Sequence, residues 1–296
     1  MGASWVSLHG RRATPRIQSA RRRAMTDPAL ARLEALLEEH GDDLPLDEGA
    51  IAIAQLFDPA CQREHVLDDL DTLARATRFE PGVAPGRAMG RINEVLFRRF
   101  EFRGDTEQYH HPYNSFIHQV LGRRLGMPIT LCLVYAEIAR RLDVHLDGVG
   151  FPGHFVLRPR HAPNPVFIDA FHSGRVLQED QLWGFFTKQY PDAAISEATW
   201  QGMMEPVSRR AFLTRIARNL RASYAMQESA EGVAKACSLL VLLEDEPEHH
   251  RDLGMSLLAS GDKDGARDAL ATYLALRPDA DDAMAVAARL TLLGTA

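Results

Sequence analysis

Three residues in the middle of this chain could together carry out acyl transfer: Cys132, His154 and Asp169. An imidazole can draw the proton from a thiol and make it a nucleophile, while a carboxylate behind the imidazole fixes its tautomer and supports its charged form. Cys132 lies in an apolar run at 128–142 that reads as a helix. His154 opens a period-2 segment, with Val156 and Arg158 on its own side and Phe155 and Leu157 on the other. Asp169 belongs to a second strand expected over 166–170, after a proline-rich loop at 159–165. If the two strands pair as a hairpin, an antiparallel register can set His154 opposite Asp169.

The elements around these residues are helical. The run at 128–142 is apolar nearly all round and should be buried, and Pro128 suits its first turn because no N–H is lost there. Before it, Asn114-Ser115 looks like an N-cap pair for a helix bearing Phe116, Ile117, Val120 and Leu121 and closed by Gly126. Between residues 27 and 102 the spacing predicts four helices: one through Leu30, Leu33, Leu36 and Leu37, one at 47–56, one at 62–77, and one through Ile92, Val95 and Leu96. Residues 80–86 read as a loop. This part is a scaffold without chemistry of its own. Residues 189–204 read as a linker, and from Ser208 onward everything is helical. A 34-residue repeat template fits the stretch beginning at Pro247, with Leu253-Gly254, Leu257, Ala266, Leu270 and Pro278 in its key positions.

Four blocks carry a family resemblance: Tyr113-Asn114-Ser115-Phe116, Arg123 through Leu131, Gly150-Phe151-Pro152-Gly153-His154-Phe155, and Ile168-Asp169-Ala170-Phe171. Over residues 28–296 the chain resembles the bacterial branch of the transglutaminase-like superfamily that joins a transglutaminase-core-like domain to C-terminal tetratricopeptide repeats. The resemblance implies an α+β fold. Its parts would be a helical N-terminal region, a papain-like core with a small antiparallel sheet at 26–200, and an all-α tetratricopeptide-like array at 207–296. Active superfamily members open the helix with Gly-x-Cys, followed by His on a strand and Asp on the next. Laid on this chain without a gap, that pattern puts Pro128 on the cysteine, while His154 and Asp169 match the other two members. Asn114 and Phe155, inside the same blocks, are expected to contribute to binding.

Proline at that position is a severe change. A helix N-terminus lowers a thiol's pKa through its dipole and free N–H groups, and proline supplies neither thiol nor N–H. Cys132 lies one turn further along the same face, about 6 Å deeper. There the dipole has faded and Leu131, Leu133 and Tyr135 surround the thiol. Its expected role is that of a small buried hydrophobe. His110, His111, His118, His154 and His172 share one region but show no paired metal spacing. No metal or cofactor is therefore expected.

Bulk composition narrows the remaining classes. With 296 residues and 46% hydrophobic content the chain can bury a real core. Six arginines and no acid occur in residues 1–24, which leaves the rest at −12 against a whole-chain net charge of −6. Such an acidic body gives no reason to expect nucleic acid. Residues 1–25 read as a disordered extension or an over-long start, no apolar run is long enough for a membrane span, and three scattered cysteines suit a reducing cytoplasm. Two functions follow: a non-catalytic protein holding a polypeptide in the remnant cleft or on the repeats, or a thiol hydrolase or acyltransferase using Cys132, His154 and Asp169.

Overall fold

The computed structural model describes residues 27–79, 83–160, 166–244 and 246–294. The expected extension at 1–25 and the loop at 161–165 lie outside them. Helices α1 (Pro28–His40), α2 (Leu46–Phe57) and α3 (Arg63–Thr77) match the apolar spacing, and Asp27 caps α1 by accepting from the Ala29 N–H. α4 (Pro85–Asn93) begins inside the stretch read as a loop, with proline in its first turn, and continues into a π-helical turn, Glu94–Arg99. Strand β1 (Arg103–Gly104) follows, then α5 (Ile117–Arg123), β2 (Leu125–Gly126) and α6 (Pro128–Arg141). β1 and β2 pair in parallel, so the chain entering α6 is stitched to the segment after α4.

α6 is the central element. From Pro128 to Ala139 every residue is buried, and helices α3 and α5 and the sheet pack around it. Helices with one apolar stripe need one neighbour, whereas a helix apolar on all sides must be enclosed. The sheet is four antiparallel strands in the order β3 (Leu146–Phe151), β4 (His154–Pro159), β5 (Phe167–Asp169), β6 (Arg175–Leu177). Alternation splits it between two cores. Phe155, Leu157 and Ile168 join the large core around α6, while Val149, Val156 and Phe167 join a smaller one with Leu177, Leu182, Phe186, Trp200 and Met204. That smaller core is closed by α7 (Glu179–Gln189) and α8 (Glu197–Met203). Residues 189–204, read as linker, thus contain a helix whose Trp200 is buried.

Helices α9 (Arg209–Met226), α10 (Ala230–Glu244), α11 (Pro247–Ser260), α12 (Lys263–Leu276) and α13 (Ala283–Gly294) form a helical array in which neighbours pack in sequence order. Gly254 of α11 is needed for its closeness: a Cβ there would stand 2.6 Å from Leu270 of α12. α9 and α10 bury Phe212, Leu213, Ile216, Leu239 and Leu240 in the same core as α6, so packing is continuous across the boundary expected at 200–207. The last helices bury Leu270, Tyr273, Val286 and Leu293 in a core of their own.

Ionic contacts hold the C-terminal end of α6. Arg141 donates to Asp47 (2.9 Å), Asp71 (2.7 Å) and Glu137 (2.6 Å), and Arg140 donates to Asp47 (3.0 Å) and Glu137 (2.7 Å). Burial alone would raise the Asp47 carboxyl; the two guanidiniums outweigh it and hold it below the ordinary carboxylate value. Replacing Arg141 by Met should cost about 1.5–3 kcal/mol, because two buried carboxylates each lose one charged hydrogen-bond donor while keeping Arg140. Chemical denaturation would measure this. A depressed carboxyl contributes stability above its unfolded pKa of about 3.9 that is lost as pH falls through its folded value. Stability should therefore drop below about pH 4, and drop less steeply in Arg141→Met.

Candidate functional site

The turn between β3 and β4 places the histidine. Pro152 has its φ fixed near −65°, and Gly153 follows at φ +78°, the pattern of a type II turn that delivers His154 to the first position of β4. The positive φ is what calls for glycine here, while the exposed Gln189 amide, 1.8 Å from where a Cβ would stand, rests over the turn. β3 itself was not apparent in the sequence. Gly148 and Gly150 weaken its strand propensity, but any Cβ there would press on the Phe155 ring, at 2.7 and 3.2 Å, with Phe212 2.9 Å from the first position. Tertiary packing thus overrides local preference.

The two predicted strands do pair antiparallel, in a register that differs from the expected one. Leu157 faces Ile168, which puts Asp169 across from Val156 instead of His154. The imidazole reaches the carboxylate along the diagonal on the same face, with His154 Nε2 2.8 Å from Asp169 Oδ2. A second imidazole, which the sequence did not pair with Asp169, meets the same oxygen: His172 Nδ1 lies 2.7 Å from Asp169 Oδ2. The backbone N–H of His172 donates to Oδ1 at 3.2 Å, and Asp169 O accepts from Gly174 N at 2.9 Å, which closes the turn after β5. Asn93 Nδ2 donates to Gly174 O at 2.8 Å and ties this turn to α4. In the sequence His172 stands out only as one of five histidines sharing a region and by its position three residues after Asp169, neither of which shows that the two side chains meet.

Asp169 is 0% exposed, the His154 side chain 11% and the His172 side chain 53%. Burial would raise the Asp169 carboxyl, yet hydrogen bonds and charge from His154 and His172 bring it below its ordinary value. The Phe185 ring of α7 lies 5.8 Å from the His154 ring and stacks 6.4 Å from that of His172. A cleft of about 290 Å³ opens here, lined by Pro128, His154, His172, Phe185 and Gln189, with Tyr109 and Phe171 at 5.9 Å from each other on another side. Phe171 is seated on Gly104, where a Cβ would stand 2.4 Å from its ring.

Pro128 therefore forms wall where a helix N-terminus meets the imidazole. The first turn of α6 is fixed through Thr130, whose hydroxyl accepts from the Met127 N–H at 3.2 Å and donates to Asn114 O at 2.5 Å. Asn114 is not an N-cap: its amide donates to Gln108 O and Tyr109 O and accepts from Arg123, and it is fully buried. The α5 helix ends at Arg124 in the left-handed region, φ 59°, two residues before the expected Gly126. Phe155, expected to bind a ligand, instead lies in the core against Phe212, with the Arg215 guanidinium over its ring and donating to His154 O at 3.1 Å. Both side chains serve packing because their neighbours, not the cleft, consume their surfaces.

Cys132 sits among the residues of the large core, not at the cleft. It is fully buried and its thiol donates to Phe155 O at 3.6 Å. Burial, and then the charge of Asp169, push this thiol far above its ordinary value. Cys61 and Cys237 are pushed up to about 11, likewise first by burial. In folded wild-type protein iodoacetamide should leave all three cysteines unmodified at pH 8, with labelling appearing only on unfolding, as read by intact mass. Pro128→Cys should add a single fast-labelling thiol near pH 6, slowed when combined with His154→Ala.

The sequence profile of the transglutaminase-like superfamily matches residues 64–218. The UPF0162 protein of Xylella fastidiosa strain 9a5c is 35% identical over 191 residues, spanning 64% of this chain and 68% of that protein. The UPF0162 protein of Pseudomonas aeruginosa is 34% identical over 201 residues, 66% of this chain and 69% of its own. A shorter likeness, 39% over 94 residues, joins 29% of this chain to 15% of F-box only protein 21 of Mus musculus. No solved structure matches.

Proposed function

This chain belongs to the transglutaminase-like superfamily, and from that premise we propose that it is a non-catalytic member that holds a polypeptide segment in the cleft where its catalytic relatives perform acyl transfer. One observation carries the reading: the cleft keeps an imidazole backed by a buried carboxylate, while Pro128 lines the same cleft at the start of α6. Proline offers no nucleophile, and its missing N–H removes a donor for a developing oxyanion. A cleft lined by Tyr109, Phe171 and Phe185 retains stacking and apolar surface for a peptide. Its polar groups, the imidazoles and Gln189, suit main-chain amides.

The reading of Cys132 as a displaced nucleophile is weaker on the same physics. A thiol in the core, raised in pKa and bonded to a backbone carbonyl, has neither access to substrate nor thiolate character. The helical array we read as tetratricopeptide-like, with α9 and α10 serving to brace the cleft domain and the later helices adding outer surface. No helix among the described residues is long and apolar enough to cross a membrane. A cytoplasmic setting is part of the proposal and rests on the scattered thiols.

Selection of random displayed peptides on the full chain, followed by fluorescence anisotropy with the enriched sequences, tests this reading. The expected result is binding that falls about tenfold in Phe185→Ala, the scale of one buried aromatic contact, with the peptide recovered intact. Cleavage or transamidation of a peptide, abolished by Cys132→Ala, would establish the thiol enzyme in its place.

A further inference from the structure

Two imidazoles on one buried carboxylate oxygen are more than a catalytic remnant needs. A carboxylate that orients one histidine requires a single contact, as His154 provides. His172 supplies a second, from the turn held by Asp169 and Gly174 and braced by Asn93. We propose that His154 Nε2, Asp169 Oδ2 and His172 Nδ1 form a binding site for a divalent ion of the Zn²⁺ class on the wall of the cleft.

The donor set and its spacing carry the inference. One oxygen and two ring nitrogens all lie within 4.8 Å of one another. Metal–ligand bonds of about 2.0–2.2 Å in tetrahedral geometry put neighbouring donor atoms roughly 3.4 Å apart. The present 2.8 and 2.7 Å separations reach that value if each ring parts from the carboxylate oxygen by about 0.6–0.7 Å, a shift that asks most of the His154 ring, 11% exposed, and least of the His172 ring, 53% exposed. Two histidines with one carboxylate is a donor set used by divalent transition ions with an open position. Here the open side faces the cleft, where half-exposed His172 leaves room for water or a ligand carboxylate or carbonyl.

The surrounding groups match what such a site requires. The second oxygen of Asp169 accepts the His172 backbone N–H, so the carboxylate is held in orientation without using Oδ2. Full burial of Asp169 favours keeping positive charge beside it. His154 sits at the start of β4, bound to the rigid Pro152-Gly153 turn, and His172 lies within one turn of Asp169, so ligands come from two elements with short tethers. The proposal stands on this geometry and is independent of whether the cleft holds a polypeptide.

Chelator-treated full chain, titrated with Zn²⁺ at pH 7.5 against a chromophoric competitor, tests it without any peptide. One equivalent should bind at micromolar affinity or tighter. His172→Ala, at a side chain 53% exposed, should weaken that binding by at least about tenfold, consistent with loss of one of three ligands to a first-row ion. Substituting His110 and His111 together by Ala should leave it unchanged, because their rings are not in the donor set. Asp169→Asn should weaken it as well, with circular dichroism confirming the folded state. No stoichiometric binding would overturn the proposal, as would equal affinity in wild type and His172→Ala with loss in the His110 and His111 variant, which marks an adventitious ion only.

Discussion

The enclosure of α6 is the constraint from which the rest follows. Its sequence from Pro128 to Ala139 offers no polar face to water, so every side must be covered by something else. Helices α3 and α5 cover part of it, β4 covers another part, and α9 from the array reaches in beside them. The sheet is therefore obliged to present an apolar face, which it does with Phe155, Leu157 and Ile168. Because strand residues alternate, the opposite face takes Val156, Phe167 and Val149 and needs a second cover, supplied by α7 and α8.

The same alternation sorts the chemistry. His154 and Asp169 lie on the face away from the large core, reached diagonally, whereas Cys132 belongs to the helix packed on the other face. One turn of helix separates Pro128 at the cleft from Cys132 in the core, and that turn decides which residue could ever meet the imidazole. Fixing α6 at both ends makes this separation firm. Thr130 and Asn114 hold the first turn, and Arg140 and Arg141 hold the last one against Asp47 and Asp71.

Much of the helical scaffold was legible, because apolar spacing and turn residues act locally. α2, α3 and α6 fall within a residue of their expected bounds, α1 encloses its expected leucines, and the proline at the start of α6 behaves as its missing N–H dictates. Local rules failed where contacts from afar decide. β3 forms in spite of two glycines since only glycine leaves room for Phe155 and Phe212. The helix at Glu197–Met203 exists because Trp200 finds a pocket between the sheet and α7. Asn114 resembled a cap by type and position, yet its side chain is consumed by the Gln108 and Tyr109 carbonyls, contacts no spacing rule discloses.

By itself the sequence determined the family, the order of His154 before Asp169, and the presence of proline where a nucleophile would stand, because these are matters of residue identity along one strand of chain. Tertiary structure alone decided that the register is diagonal, that Cys132 faces the core, and that His172 joins the carboxylate. The physical reason is that each of these depends on how a turn is closed and which face of a strand is covered. His172 reaches Asp169 because Gly174 and Ser173 take positive φ and fold the turn back; residue type three positions downstream fixes only the opportunity, and the closed turn makes the contact.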